Sequence, residues 1–246
     1  MKNTRIAIIC LVLLAEFLSF CGIDKSKNSI GNPLPVLVLI EEPGFRSNII
    51  PTSPQFILYD DGSVIYTKRK NEYQYAKISK DVFKELIPRD SFKSLKDYYD
   101  ASDTTDLGST SIKYLEDGNT YFVNVYADLQ FENDRKRVPE DFLLTYDKIL
   151  KQSENNGNLW IPNSIEIRFF GVSGSFKNPI KWPTKIPFVV KNKMDGTQVI
   201  YVEGKNCSEF IEFARKFKKG QVISFYGNTL SLHYRYIFPY EEMWMK

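Results

Sequence analysis

Short apolar runs separated by polar turn residues recur along the chain, and the clearest case lies between residues 54 and 74. An apolar run at residues 56–58 leads into Asp60, Asp61 and Gly62, and a second apolar run follows at residues 64–66. Glycine accepts the positive φ that a tight turn demands, so this pattern predicts a β-hairpin. We interpret it as the central hairpin of the domain.

Further apolar runs predict the remaining strands. Strands are predicted at residues 36–40, 112–115, 121–126, 165–170, 188–190, 198–202, 222–226 and 230–238. Turns are predicted between them at residues 116–119, at Asp195 and Gly196, and at Gly227 and Asn228. Alternation in the last strand is expected to separate an apolar face from a more polar one.

Amphipathic stretches between these strands predict short helices. Helices are predicted at residues 80–87, 138–152 and 206–220, with one further helical turn that carries Phe92, Leu95 and Tyr98. Ser79 is a typical N-cap for the first helix. Asn206 and Glu209 have the spacing of a capping box at the start of the third.

These elements together predict an α+β fold in which antiparallel hairpins pack against a few short amphipathic helices. Turn formers at residues 153–158 predict a boundary between a first unit, residues 36–152, and a second α+β unit, residues 158–246, that packs on the first. Both units contain an Asp-Gly turn, an apolar strand, a capped helix and a hairpin in that order. Two similar halves are therefore one option, with chance recurrence as the other.

The first 21 residues have the three parts of an export signal. Basic residues precede an apolar run at residues 6–15, which is shorter than the roughly 20 residues needed to span a bilayer. Residues 18–21, Leu-Ser-Phe-Cys, resemble a bacterial lipobox, in which the chain is cleaved before the cysteine, here Cys21, and that cysteine is lipidated. Phe20 departs from the small residue usual at its position. The alternatives are an uncleaved membrane anchor, a soluble exported form, or a segment that is not an export signal.

The polar segment at residues 22–35 contains two glycines and two prolines and predicts a flexible stalk. With Cys21 lipidated, acyl chains would tether the body to a membrane. The expected location is therefore the cell envelope, as a membrane-anchored lipoprotein that is periplasmic or surface-exposed.

Composition narrows the possible chemistry. The 33 basic and 30 acidic residues are dispersed and give a net charge of +3, which does not indicate a nucleic-acid partner. Cys207 is the one cysteine after residue 21, and His233 is the one histidine in the sequence, so neither a disulfide framework nor a Cys/His metal cluster is predicted. We predict no cofactor.

A few residues invite chemical hypotheses, but none forms a recognisable catalytic pattern. Asp103 and Asp106, with Asp100, lie in a polar loop that could offer oxygen ligands to calcium, but their spacing lacks the alternation of a calcium loop and favours a solvated turn. His233 and Ser231 are two residues apart on one strand without a nucleophile elbow. We predict no catalytic residue.

Two further sites leave alternatives open. Cys207 at a helix start is either a thiol with a lowered pKa or a buried structural residue. Glu241 and Glu242 are adjacent acids on an aromatic tail that is expected to be frayed, and adjacency does not predict the facing carboxylates of a glycosidase.

Aromatic side chains are the candidates for binding. Trp182 lies in a Pro-rich loop at residues 178–187, and Tyr234 and Tyr236 share one face of a predicted strand. We expect a non-enzymatic binding or interaction module whose partner is an unknown protein or a surface polymer. The alternative is an envelope hydrolase that uses carboxylates such as Asp103 and Asp106.

Residues 54–152 carry several features in a fixed order. The features are a strand entering an Asp-Gly turn at residues 56–62, Val64 and Tyr66, a helix from Ser79 to Leu86, Phe92, Leu95 and Tyr99, Thr105 and Asp106, Ile112, and Val138 and Pro139. This order resembles a domain of unknown function found in bacterial exported proteins and lipoproteins. Members often carry paired cysteines before the first strand, which this chain lacks. The resemblance implies a location and a fold type, and no activity.

Overall fold

The computed structural model describes residues 33–44, 53–69, 72–172, 178–192, 198–218 and 221–245. Within these ranges the chain forms two mixed sheets of mainly antiparallel strands and four short α-helices, so the predicted α+β fold is confirmed. The export signal with Cys21, the predicted turn at Asp195 and Gly196, and Gly220 lie outside the described residues. None of the helices in the described ranges is both long enough and apolar enough to cross a membrane.

The first sheet contains eight strands. They are β1 (Pro35–Glu42), β2 (Phe56–Tyr59), β3 (Ser63–Arg69), β4 (Glu72–Lys77), β5 (Tyr98–Asp100), β6 (Ser109–Glu116), β7 (Asn119–Tyr126) and β8 (Asn158–Leu159). Their order across the sheet is β5-β7-β6-β1-β2-β3-β4-β8. The short strand β5 pairs with β7 in parallel, and the other neighbours are antiparallel.

The predicted central hairpin, β2 and β3, lies inside this sheet. Its register pairs Leu58 with Val64. Gly62 has a φ of +79° and completes the turn, while the Asp61 carboxylate accepts hydrogen bonds from the backbone nitrogen and the hydroxyl of Ser63. The aspartates are therefore structural turn residues, as their position beside a glycine predicts.

The inner strands of the first sheet are buried on both faces. One face, which includes Leu39 and Phe56, packs against helices, and the opposite face, which includes Val38 and Ile57, packs against the second sheet. Double burial explains why these strands read as continuous apolar runs instead of alternating ones.

The helices are α1 (Lys80–Leu86), α2 (Glu132–Arg135), α3 (Glu140–Ser153) and α4 (Asn206–Ala214). Ser79 caps α1, because its hydroxyl accepts a hydrogen bond from the Val82 nitrogen at 3.3 Å, which confirms the predicted start. A 3-10 helix, Asp90–Ser94, buries Phe92 as expected, but Tyr98 belongs to the exposed strand β5 and not to a helical turn.

The second sheet contains six strands. They are β9 (Ser164–Gly171), β10 (Ile180–Lys181), β11 (Val189–Asn192), β12 (Gln198–Glu203), β13 (Ile223–Phe225) and β14 (Asn228–Tyr236). Their order is β10-β13-β14-β9-β12-β11.

The two sheets share a layout. In the first sheet, β1 lies between the hairpin β2-β3, which precedes α1, and the hairpin β6-β7, which follows α1. In the second sheet, β9 lies between the hairpin β11-β12, which precedes α4, and the hairpin β13-β14, which follows α4. The first strands of the hairpins, β2 and β6, flank β1, whereas the second strands, β12 and β14, flank β9. The halves are thus similar in arrangement and differ in how each hairpin joins its neighbour.

Two local predictions in the second unit are wrong. The turn of the last hairpin consists of Tyr226 and Gly227, because the register pairs Phe225 with Asn228 and both turn residues have positive φ. No capping box forms at α4, since Asn206 already belongs to the helix and Lys205 before it is helical. A capping residue needs an extended backbone.

One apolar cluster joins the two sheets. Tyr73 of the first sheet contacts the rings of Trp160, Tyr236 and Phe238 at centroid distances between 5.1 and 6.0 Å. The passage between the units falls later than predicted, because Leu159 still pairs with Gln74 in the first sheet.

The segment that follows β14 is packed, so the expectation of a frayed tail is wrong. Trp244 is 1% exposed and lies against Phe238. The Lys113 ammonium donates a hydrogen bond to the Trp244 carbonyl at 2.5 Å, and the Tyr59 hydroxyl donates one to the Pro239 carbonyl at 3.3 Å. These contacts fix the segment against the first sheet.

Candidate functional site

A cleft of about 480 Å³ opens at the end of the first sheet where β1 stops and β6 begins. Described residues from five parts of the chain line it: Glu41, Glu42, Pro43, Gln55, Leu107, Gly108, Ser109, Thr110, Ala127, Asp128, Leu129, Gln130 and Tyr146. Its volume falls in the range of about 300–1,000 Å³ that small-ligand sites occupy.

Backbone packing forms one wall of the cleft. Glu42 pairs with Ser109 at the open end of β1 and β6. A β-carbon added at Gly108 would lie 2.3 Å from the Glu42 carbonyl oxygen, so the chain can approach this closely only because residue 108 is glycine. The Tyr126 hydroxyl, which accepts a hydrogen bond from the Leu107 nitrogen at 3.0 Å, supports the same loop.

The floor of the cleft holds a hydroxyl and a carboxylate in contact. Tyr146 of α3 is 6% exposed, and its hydroxyl donates a hydrogen bond to the Glu41 carboxylate at 3.1 Å. Burial, followed by the charge of Glu41, raises the pKa of Tyr146 well above its usual value. Tyr146 therefore stays a neutral donor.

The lining is acidic. Glu41, Glu42 and Asp128 contribute carboxylates, and no lysine, arginine or histidine is found among the described residues that line the cleft. Two cations lie near the acids: Lys113 interacts with Glu42, and the charge of Arg135 acts on Tyr146. Arg135 is itself paired with Asp147 at 2.7 Å. Glu41 has no ion pair within the ranges that the structure covers.

An exposed aromatic residue follows the cleft lining in the chain. Phe131 is 56% exposed and comes directly after Gln130, although Phe131 is not itself among the described residues that line the cleft. Its backbone nitrogen donates a hydrogen bond to the Asp128 carbonyl at 2.9 Å, which closes the turn that carries Asp128, Leu129 and Gln130. A half-exposed ring next to polar groups is a contact surface for the apolar face of a ligand.

Of the two loop acids proposed from the sequence, Asp103 is paired with an arginine that does not line the cleft. Both oxygens of Asp103 accept hydrogen bonds from the Arg137 guanidinium, which lowers the pKa of Asp103. Asp106 is a solvent-exposed loop residue with a φ of +63°. Across the described residues, no group of three or more His, Cys, Asp or Glu side chains is arranged to hold a metal ion.

The aromatic candidates for binding mostly serve packing. Tyr236 is 4% exposed and belongs to the shared core. Trp182 is half-buried among Phe169, Phe188, Phe210, Phe213 and Phe225, and its indole nitrogen donates a hydrogen bond to the Ile186 carbonyl at 3.3 Å. Tyr234 is half-buried and lies edge-on to Phe210 at 5.2 Å.

The thiol and the imidazole have separate environments. Cys207 is fully buried, and burial, followed by the charge of Glu203, raises its pKa to about 12. The proposal of a lowered pKa is therefore wrong, and the buried structural alternative is confirmed. Partial burial lowers the pKa of His233, whose ring lies edge-on to Phe170 at a centroid distance of 5.1 Å. The Ser231 hydroxyl donates its hydrogen bond to the Phe170 carbonyl and not to His233.

A buried charge network in the second sheet has no signal in the sequence. Glu166 is 1% exposed and accepts hydrogen bonds from Arg168, Arg235 and Tyr201 at 2.8, 3.0 and 3.1 Å. Arg235 also bonds to Glu241 at 3.0 Å. Glu241 is therefore not part of a candidate acid pair. Its hydrogen bond with Arg235 holds the segment after β14 against β14.

The cleft was also missed, although one signal was available. Glu41 and Glu42 follow the apolar run of β1 directly, which places acids at the exit of a buried strand.

Comparisons of the chain with protein-family models, with curated proteins and with solved structures found no match. The class of protein is therefore defined by its own fold and site: a two-sheet α+β protein with an acidic cleft at one end of the first sheet.

Proposed function

We propose that the protein is an envelope-anchored lipoprotein whose body is a non-enzymatic binding module. Cys21 carries the lipid anchor, the residues between Cys21 and β1 form the stalk, and the cleft at the end of β1 holds a small polar ligand or a polar part of a surface polymer or protein. The resemblance to a domain of bacterial exported proteins and lipoproteins supports this location.

The observation that carries the binding role is the convergence of polar side chains from separate segments on one open cleft. Carboxylates, two glutamine amides and three hydroxyls line a space of about 480 Å³ beside apolar side chains. A few polar groups placed in a partly apolar concavity are the usual composition of a ligand site.

The hydrolase alternative gains no support from its named residues. Asp103 is held as a carboxylate by Arg137, so at neutral pH it has no proton to donate to a leaving group.

Intact mass spectrometry of the membrane-extracted protein tests the anchor. We expect a mature chain that begins at Cys21 and carries a diacyl or triacyl adduct. A chain that still begins at Met1 without an adduct would refute lipidation, and Cys21→Ser, which removes the acceptor sulfur, is the control.

Ligand screening by protein-observed NMR tests the cleft. Polar fragments added to the chain from residue 22 onward are expected to shift the amide signals of Gly108, Thr110 and Gln130. The amides of Tyr226 and Asn228, in the distant hairpin turn of the second sheet, serve as the internal control. If no fragment of any charge shifts the cleft amides, the binding role at this site is wrong.

A further inference from the structure

The most unusual group in the cleft is the carboxylate of Glu41. It is half-buried, and its hydrogen bond within the described part of the chain comes from Tyr146, a neutral donor. Glu41 lines the open cleft and has no ion pair within the described residues, so a cationic group of a ligand that enters the cleft can form a charge-assisted hydrogen bond with it.

The other side chains that line the cleft indicate which further groups a ligand would carry. Gln55 and Gln130 offer amides, and Ser109 and Thr110 offer hydroxyls, all of which can exchange hydrogen bonds with hydroxyl groups of a ligand. The lining also contains the apolar side chains of Pro43, Leu107, Ala127 and Leu129, which can contact the apolar face of a sugar ring.

We propose that the cleft binds a ligand with an ammonium group flanked by hydroxyl groups, the chemistry of an amino sugar, with the ammonium paired to Glu41. This inference rests on the proposed binding role of the cleft. Tyr146 is a positioning residue, because its hydroxyl fixes one carboxylate oxygen and leaves the other for the ligand. An amino sugar can be free or part of a polymer, and the open cleft admits either.

Isothermal titration calorimetry of the full-length chain in detergent tests the proposal. The probes are glucosamine, which carries the ammonium, and N-acetylglucosamine, in which an acetyl group on the nitrogen removes the charge and adds bulk. We expect glucosamine to bind about tenfold or more tightly than the acetylated sugar, in keeping with the greater strength of charge-assisted hydrogen bonds. A tetramer of glucosamine distinguishes the sources: tighter binding than the monomer assigns a polymer, and equal binding a free sugar.

The variants separate charge from shape. Glu41→Gln keeps the size of the side chain and is expected to remove most of the preference for glucosamine, whereas Glu85→Gln, an exposed acid on α1 that does not line the cleft, should leave it unchanged. Tyr146→Phe is expected to weaken glucosamine binding about threefold to tenfold through looser placement of Glu41. Retained binding of N-acetylglucosamine in all variants shows that the fold is intact.

Two results overturn the ammonium proposal in different ways. Equal binding of both sugars, unaffected by Glu41→Gln, would refute the charge requirement and leave the cleft as a binding site. If neither sugar binds at millimolar concentration while other fragments shift the cleft amides, the amino-sugar proposal is wrong and the binding role stands. If no fragment shifts those amides, both are wrong.

Discussion

Glu166 lies between Ile165 and Ile167 on β9, a position that alternation assigns to a wet sheet face. It is nevertheless 1% exposed, and it is surrounded by the donors of Arg168, Arg235 and Tyr201. Burial and then the charge of Glu166 raise the pKa of Tyr201 to about 12, which keeps that hydroxyl a donor. A residue's neighbours in space, and not its place in the pattern, decide whether its charge is solvated or paired.

Asp61 should make the stability of the protein depend on pH. Burial alone would raise its pKa, but hydrogen bonds from Lys77 and Ser63 outweigh that effect and lower the pKa below its usual 3.8. Its stabilising contribution is therefore complete above about pH 4 and is lost as the pH falls through the folded-state pKa. We expect Asp61→Asn to lose less stability between pH 7 and pH 3 than wild type, by under about 1 kcal/mol because the pair is solvent-screened.

Urea unfolding at the two pH values measures this difference. Asp60→Asn, in the same turn, is the matched control, because the Asp60 carboxylate bonds to the Leu34 nitrogen and not to Lys77. Equal pH dependence in wild type and Asp61→Asn would contradict the assignment.

Cys207 should be nearly inert toward thiol reagents while the protein is folded. Its Sγ donates a hydrogen bond to the Val202 carbonyl at 3.3 Å, and burial raises its pKa to about 12. Because the thiolate is the reacting form, we expect labelling by a disulfide reagent at pH 8 to be at least about 100-fold slower in buffer than in urea. A chain from residue 22 onward has this one cysteine, and Cys207→Ser gives the blank. Similar rates in both conditions would show that the site opens readily.

At the scale of elements, local signals predicted most helices and hairpins. Ser79 caps α1 and Gly62 completes the first turn because caps and turns depend on residues next to one another. The tight turn at Tyr226 and Gly227 was misplaced by one residue because a tyrosine rarely takes a φ of +46°. The pairing of β1 with β6 has no local signal, since it joins segments far apart in the chain.

The cleft could not be predicted for the same reason. Its floor depends on α3 bringing Tyr146 to Glu41, and its wall depends on residue 108 meeting residue 42. Apart from the two acids that follow the apolar run of β1, none of these residues is unusual in its own stretch of sequence. Only the assembled sheet places them around one space.

The loop junction at the cleft should be sensitive to one added methyl group. A β-carbon at residue 108 would lie 2.3 Å from the Glu42 carbonyl oxygen, and the obstacle is backbone, which cannot rotate away. We expect Gly108→Ala to lower the free energy of unfolding by about 1–3 kcal/mol, as overpacked sites do. Gly171→Ala is the control, because nothing lies within 4 Å of its added β-carbon. Denaturant unfolding compares them, and equal effects would contradict the close approach.

At the scale of the whole molecule, the two sheets depend on one core. Residues of the first sheet, such as Ile57 and Tyr73, lie in the same cluster as Ile165 and Phe210 of the second unit. The segment after β14 adds Phe238 and Trp244 to that cluster. The two units that the sequence separates are therefore expected to unfold together.

Trp244→Ala should weaken both sheets by the same amount. Truncating a fully buried tryptophan costs about 3–5 kcal/mol, and here the cavity would open into the shared core. Hydrogen exchange of amides in β6 and in β14 is the measurement, and protection is expected to fall equally in both. Met243→Ala, one residue away and 37% exposed, should change protection little. A loss confined to β14 would show that the sheets are energetically separate.

The position of β1 also has a mechanical consequence. This strand lies between β2 and β6, is antiparallel to both, and is the part of the first sheet nearest to residue 33 in the chain. Antiparallel hydrogen bonds run perpendicular to the strands, so a pull along β1 loads all of its bonds at the same time instead of opening them one by one. A body held by its stalk against flow, or by a tethered ligand, would bear that load on a strand whose hydrogen bonds to β2 and β6 resist together, so the attachment point is joined to a part of the fold that opposes force well.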